Sequence, residues 1–168
     1  MIFNILIKIL NKIRMLIQFA YFRCLYGNKL NIEKDVRWRS HFSIIIENDA
    51  KVMIGKGCKF NHNCSINSLG SIKIGDYSIF GEGVKIYDHN HRFNINKRHI
   101  SDQGMSVGKI IIGKNCWLGS NVVVLKGSII GDNCVIGAGC IVSDNIPANS
   151  VLKTKNNYSI EKIRFKDE

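Results

Sequence analysis

One proline, no Gly/Ser-rich stretch and no long apolar run free of charge occur in these 168 residues. Without a flexible linker, the chain reads as one domain with terminal additions. The most apolar stretch, residues 1–26, is interrupted by Lys8, Lys12, Arg14 and Arg23. Charges placed inside the apolar segment exclude a transmembrane span and do not suit a signal peptide. No CxxC pair frames the six cysteines. With no secretory leader either, they read as reduced thiols of a cytoplasmic protein. Acidic residues are scarce, 13 against 24 lysines and arginines, which leaves a net charge of +11. No nucleic-acid recognition module accompanies that charge, so nucleic acid is not the expected partner. An anionic lipid surface and a polyphosphate cofactor both remain as answers to it.

What the chain does have is a six-residue period between Ile54 and Ala148. It is plainest from Ile112 to Pro147, where hexads begin at Ile112, Leu118, Val124, Ile130, Ile136 and Val142. Earlier hexads begin at Ile54, Phe60, Ile66, Ile74, Phe80 and Ile86. The fifth position is small or modestly apolar and takes Cys58, Cys64, Cys116, Cys134 and Cys140. Two inward positions per hexad predict a narrow parallel β-helix in which like positions stack coil upon coil. With Tyr77 and His89 among the exceptions, the fourth position is rich in glycine and asparagine, Asn145 included. Those two residue types enter the left-handed backbone region most cheaply, so each fourth position is an expected corner. Three hexads then make one triangular coil.

Segment 1–27 is expected to be an amphipathic N-terminal helix, 28–152 the β-helix and 153–168 a basic tail. Two readings of the helix stand side by side. It lies on an anionic inner membrane, or it covers the open apolar end of the coil.

The repeat breaks after Ile86-Tyr-Asp-His-Asn-His91, and residues 92–109 run as a long excursion. Sites in solenoids gather where regularity fails. His91 takes an outward position beside the departing loop, suited to a general base. His89 takes a corner position, and Asp88 either orients an imidazole or decorates the turn. His62 falls in a different coil from His89 and His91, and no cysteine faces outward to help, so no metal site is expected.

Tyr87-Asp-His-Asn-His91-Arg92, Ile100-Ser-Asp-Gln-Gly104, Ile112-Gly-Lys-Asn-Cys-Trp-Leu-Gly-Ser120, Val135-Ile-Gly-Ala-Gly139 and Ile146-Pro-Ala-Asn149 carry a resemblance. The span from about Ile54 to Asn149 resembles the left-handed β-helix hexapeptide-repeat acyltransferases. Within them it is similar to the galactoside, maltose and xenobiotic O-acetyltransferase branch, and especially to sugar O-acetyltransferases of bacterial surface polysaccharides. The resemblance implies a left-handed coil, a homotrimer with sites between protomers, acetyl-CoA as co-substrate and no metal. It implies His91 as catalytic base with Asp88 beside it. Trp117, Gly119, Ser120, Ala138 and Ser143 fall to acetyl-CoA, and Asn63, Tyr87, Asn90 and Arg92 to a saccharide acceptor. Relatives place Thr-Lys where Ser143-Asp144 stands, and an arginine segment where Lys153 and Lys155 stand. These two lysines are expected to meet the nucleotide phosphates instead. Other acceptors (an amino sugar, serine, an antibiotic) and a noncatalytic trimeric scaffold are the alternatives. A cytoplasmic enzyme held peripherally at the inner membrane face fits the whole pattern.

Overall fold

The computed structural model describes residues 2–154. Helix α1 (Ile2–Tyr26) leads into the first coil of a parallel β-helix, formed by β1 (Leu30–Ile32), β2 (Arg37–Trp38) and β3 (Ser43–Ile46). The second coil is β4 (Lys51–Ile54), β5 (Lys59–Phe60) and β6 (Ser65–Ser68). The third is β7 (Ser71–Ile74), β8 (Ile79–Phe80) and β9 (Lys85–Tyr87). Here the chain leaves the coil through a hairpin, β10 (His89–His91) and β11 (Met105–Val107). It resumes with β12 (Ile110–Ile112), β13 (Trp117–Leu118) and β14 (Val123–Val124). The fifth coil is β15 (Ile129–Ile130), β16 (Val135–Ile136) and β17 (Ile141–Val142), and β18 (Asn145–Ile146) and β19 (Val151–Leu152) close the stack.

Three parallel faces result, ordered β1-β4-β7-β12-β15-β18, β2-β5-β8-β13-β16-β19 and β3-β6-β9-β14-β17. The first hexad residue points inward everywhere, from Ile54 to Val142, and is buried. Nine expected corners, Gly57, Asn63, Tyr77, Gly83, Asn115, Asn121, Gly127, Asn133 and Gly139, have φ between 53° and 84°. Two expected corners are not corners. His89 is extended in β10 and Asn145 is extended in β18, and the last turn is made at Asn149 instead. Asparagine and histidine tolerate the left-handed region without requiring it.

The coil also starts earlier than the period shows. Ile32, Trp38 and Ile44 stand six apart and are buried, with left-handed corners at Asp35 and His41. Trp38 and Phe42 begin an aromatic column inside the coil: Trp38 to Phe42 at 5.3 Å, Phe42 to Phe60 at 4.8 Å and Phe60 to Phe80 at 4.4 Å.

Helix α1 covers the open end of this column, as the cap reading expects. Phe22 is buried edge-on against Phe42, and Phe19 lies 6.4 Å from Trp38. Gln18 Nε2 donates to Phe42 O at 2.6 Å while its Oε1 accepts the Trp38 indole N–H at 2.8 Å. Tyr26 O–H donates to Ile44 O at 2.9 Å. Polar groups at an exposed coil end would otherwise lie unpaired beneath apolar cover.

The five fifth-position cysteines are buried and unbridged, and Cys24 is exposed. All five buried thiols donate to a carbonyl of the next coil: Cys58 to Gly75, Cys64 to Gly81, Cys116 to Gly131, Cys134 to Pro147 and Cys140 to Leu152. Ser78 does the same with its hydroxyl, to Gly113 O at 2.9 Å. The position selects a small side chain that fills the corner and ties one coil to the next.

Candidate active site

Asp88 decides where the chain leaves the coil. Its side chain is fully buried, and its carboxylate accepts from Ser68 O–H at 2.6 Å, Leu69 N–H at 2.8 Å and Gly70 N–H at 2.9 Å. Hydrogen bonds from two main-chain donors and a hydroxyl compensate the desolvation of such a group. The Asp88 carbonyl then accepts Gly108 N–H at 2.8 Å, so the outgoing and returning strands meet at one residue. Between them His89 pairs with Val107, Asn90 with Ser106 and His91 with Met105 in antiparallel register. The excursion is internally braced. Buried Gln103 accepts Ile95 N–H and donates to Ile95 O and Arg98 O. Gln103 belongs to the Ile100–Gly104 motif, but nothing in the sequence marked its amide as the brace of the excursion.

His91 is exposed on this hairpin. With Asn90, Arg92, Phe93, Ser106 and Lys126, it lines a cavity of about 410 Å³. Three of the expected catalytic and acceptor residues (His91, Asn90, Arg92) therefore meet. Asp88 is turned the other way: its Oδ1 lies 3.1 Å from His89 Nδ1, and it makes no described contact with His91. The carboxylate thus orients His89 and the hairpin root rather than the His91 ring. Tyr87 is engaged with Ser65 through its hydroxyl at 3.1 Å, one strand before the cavity. Asn63 is a left-handed corner whose amide donates to Glu82 at 3.3 Å, and it does not border the cavity.

The residues expected at acetyl-CoA assemble along a different edge. Trp117 pairs with Val135 and is 53% exposed. The same register sets Ser120 beside Ala138, both exposed, and the pairing of Ile136 with Leu152 puts exposed Lys153 on the rung beside Gly137. Gly119 differs from its expected role. It is buried, its N–H is committed to Ile136 O at 2.8 Å, and a Cβ there would approach Ala138 N to 2.6 Å. Glycine is needed at 119 for coil stacking, not for an open backbone. Ser143 follows β17 on another corner, hydrogen-bonded to Asp144 at 3.1 Å. Lys155 lies outside the described residues. Among the described residues no group of three or more metal-ligating side chains gathers.

Residues 109–144 match the family described as bacterial transferase hexapeptide (six repeats). Nodulation protein L of Rhizobium leguminosarum bv. viciae is 35% identical over 77 residues, which is 45% of this chain and 39% of that protein. The chain thus spans about two fifths of the curated relatives it matches, the Rhizobium meliloti counterpart included. A hexapeptide-repeat acetyltransferase from Vibrio cholerae has the same fold, with TM-score 0.69 and 23% identity over 82% of this chain and 74% of that one. Maltose O-acetyltransferase from Clostridium difficile 630 is 27% identical with TM-score 0.62, over 73% and 64% of the two chains. A galactoside acetyltransferase in complex with coenzyme A is 26% identical with TM-score 0.59, over 80% and 74%. By repeat and by architecture the chain is a hexapeptide-repeat β-helix protein. It has the fold of the hexapeptide-repeat acetyltransferases.

Proposed function

We propose that the protein is an acetyl-CoA-dependent O-acetyltransferase acting on a sugar hydroxyl of a bacterial capsule, O-antigen or exopolysaccharide intermediate. The observation that carries this reading is His91, held outward on a braced hairpin over a cavity with Asn90, Ser106 and Lys126. Names of structural neighbours with galactoside and maltose as acceptors support the sugar.

His91 takes the proton of the acceptor hydroxyl as its oxygen attacks the thioester carbonyl. The new C–O bond forms, the C–S bond breaks, and His91 returns the proton to the departing thiolate. Such transfer contributes roughly 10²–10⁴-fold in rate. With the Gly119 N–H spent on the β ladder, the Ser120 N–H is the free donor suited to the developing oxyanion. Trp117, Ser120, Ala138 and Lys153 lie along one edge and do not line the cavity of His91, which supports a site assembled between two protomers of a homotrimer.

His91→Ala should lower turnover by at least ~10²-fold and leave acetyl-CoA affinity within about twofold, read by steady-state rates and calorimetry. Retained turnover would remove His91 from the chemistry. No described helix is long and apolar enough to cross a membrane. However, α1 exposes Leu6, Ile9, Leu10, Ile13 and Ile17 among basic residues, which supports peripheral contact with an anionic inner membrane. The double change Leu10→Gln and Ile17→Gln should abolish vesicle co-sedimentation while leaving the cap residues in place. Unchanged sedimentation would reduce α1 to a cap.

A further inference from the structure

Two adjoining cavities, of about 390 and 330 Å³, lie between α1 and the first coil and share Asn11 and Trp38. Four cations border them: Lys12 and Arg14 from the helix, Arg37 and Arg39 from the β2 region. His62 of the next coil completes the second cavity, with its Nε2 3.5 Å from Arg39 Nη1 and its Nδ1 hydrogen-bonded to Ser40 Oγ. Among the described residues none of these four cations has a carboxylate partner; the one acid–base contact is Asp88 with His89. Glu33 and Asp35 line a separate depression that also borders Trp38. Four like charges gathered on an apolar wall repel one another unless an anion joins them.

A second observation points the same way. Arg14 Nε is shut off from solvent and has no acceptor. A buried donor without an acceptor is costly and rare, and an unplaced ion is one of its ordinary explanations. Planar guanidinium groups match phosphate oxygens in paired hydrogen bonds, better than they match a monovalent anion. The two cavities exceed what one phosphate fills and suit a ligand with an organic body. Trp38 spends its indole N–H on Gln18 and offers only apolar surface.

We propose that this groove binds a phosphate ester or diphosphate carried on a larger molecule. The site is separate from the His91 cavity and from the Trp117 edge, and it stands whether or not the acetyltransferase reading does. Its ligand comes either from a lipid headgroup, reached beside the exposed apolar face of α1, or from a soluble sugar or nucleotide phosphate.

The test uses the full chain, with inorganic pyrophosphate as soluble probe and phosphatidylcholine vesicles with and without phosphatidic acid as lipid probe. Saturable pyrophosphate binding by calorimetry is expected. Arg39→Gln and Arg14→Gln should each weaken it about tenfold or more, the loss of one charge-assisted hydrogen bond. Lys97→Gln, on the excursion, should not. Arg37→Gln, at an exposed strand position, repeats the test should an Arg14 variant fold poorly. Acetyl-CoA affinity should stay unchanged in all of them, which separates this site from the one for the co-substrate. Vesicle binding that needs phosphatidic acid and is lost in Arg39→Gln assigns the ligand to lipid; pyrophosphate binding without it assigns a soluble source. Binding that ignores these arginines, or pyrophosphate displaced by saturating acetyl-CoA, overturns the proposal.

Discussion

Asp88 carries a carboxylate into a place without solvent and spends both oxygens on Ser68, Leu69 and Gly70. Asp88→Asn would turn an amide N–H₂ toward one of those N–H donors. We expect a loss of about 1–3 kcal/mol, seen as a lower melting temperature. His91→Ala, at an exposed position, should leave that temperature unchanged. The buried thiols give a second expectation. Burial pushes Cys58 up to about 11 and also raises Cys64 and Cys116. A thiol raised by folding stabilises the native state fully below its unfolded value, and that stability is lost as pH climbs through the folded one. Stability should therefore fall between about pH 9 and 11 in denaturant titrations, and only Cys24 should react with a thiol reagent at neutral pH. The fifth-position cysteines were legible because a period makes position predict burial. The extended form of His89 was not legible: whether a tolerant residue turns or runs straight depends on Asp88 being anchored one residue earlier, and no local pattern states that.

Among elements, the first coil shows how a repeat hides. Ile32, Trp38 and Ile44 keep the six-residue spacing, yet the corners are Asp35 and His41, and Trp38 and Phe42 turn bulky aromatics inward. Large side chains are needed there because the coil meets a helix instead of another coil. Residues 2–26 showed their helix through apolar periodicity, while the choice of what they cover came from Gln18, Phe22 and Tyr26 meeting the coil. Phe22→Ala should cost about 3–5 kcal/mol by opening a cavity against Phe42 and Trp38, measured by denaturant unfolding. If stability hardly changes, α1 is not seated on the column.

At the scale of the molecule, Trp117 does not border the cavity lined by His91 on its hairpin, so the proposed reaction needs a second protomer. Solution mass should correspond to three chains, and acetyl-CoA should bind once per chain only in that assembly. A monomer that binds acetyl-CoA would mean one chain holds the entire site. The coil was readable from its period, since inward apolar residues and left-handed corners are local demands. The proposed site between protomers came only through resemblance, because surface residues carry no periodic signature of a partner.

The hairpin inserted after Asp88 also bears on how the chain folds. Ile74 pairs with Ile54 behind it and with Ile112 ahead of it, across a stretch of sequence about twice as long. Loop-closure entropy grows only logarithmically, so this detour costs roughly 0.6 kcal/mol more than an ordinary coil. The coils that follow can therefore zip onto the third as readily as the second did, and the bridging segment can lengthen or shorten over generations without moving a single rung.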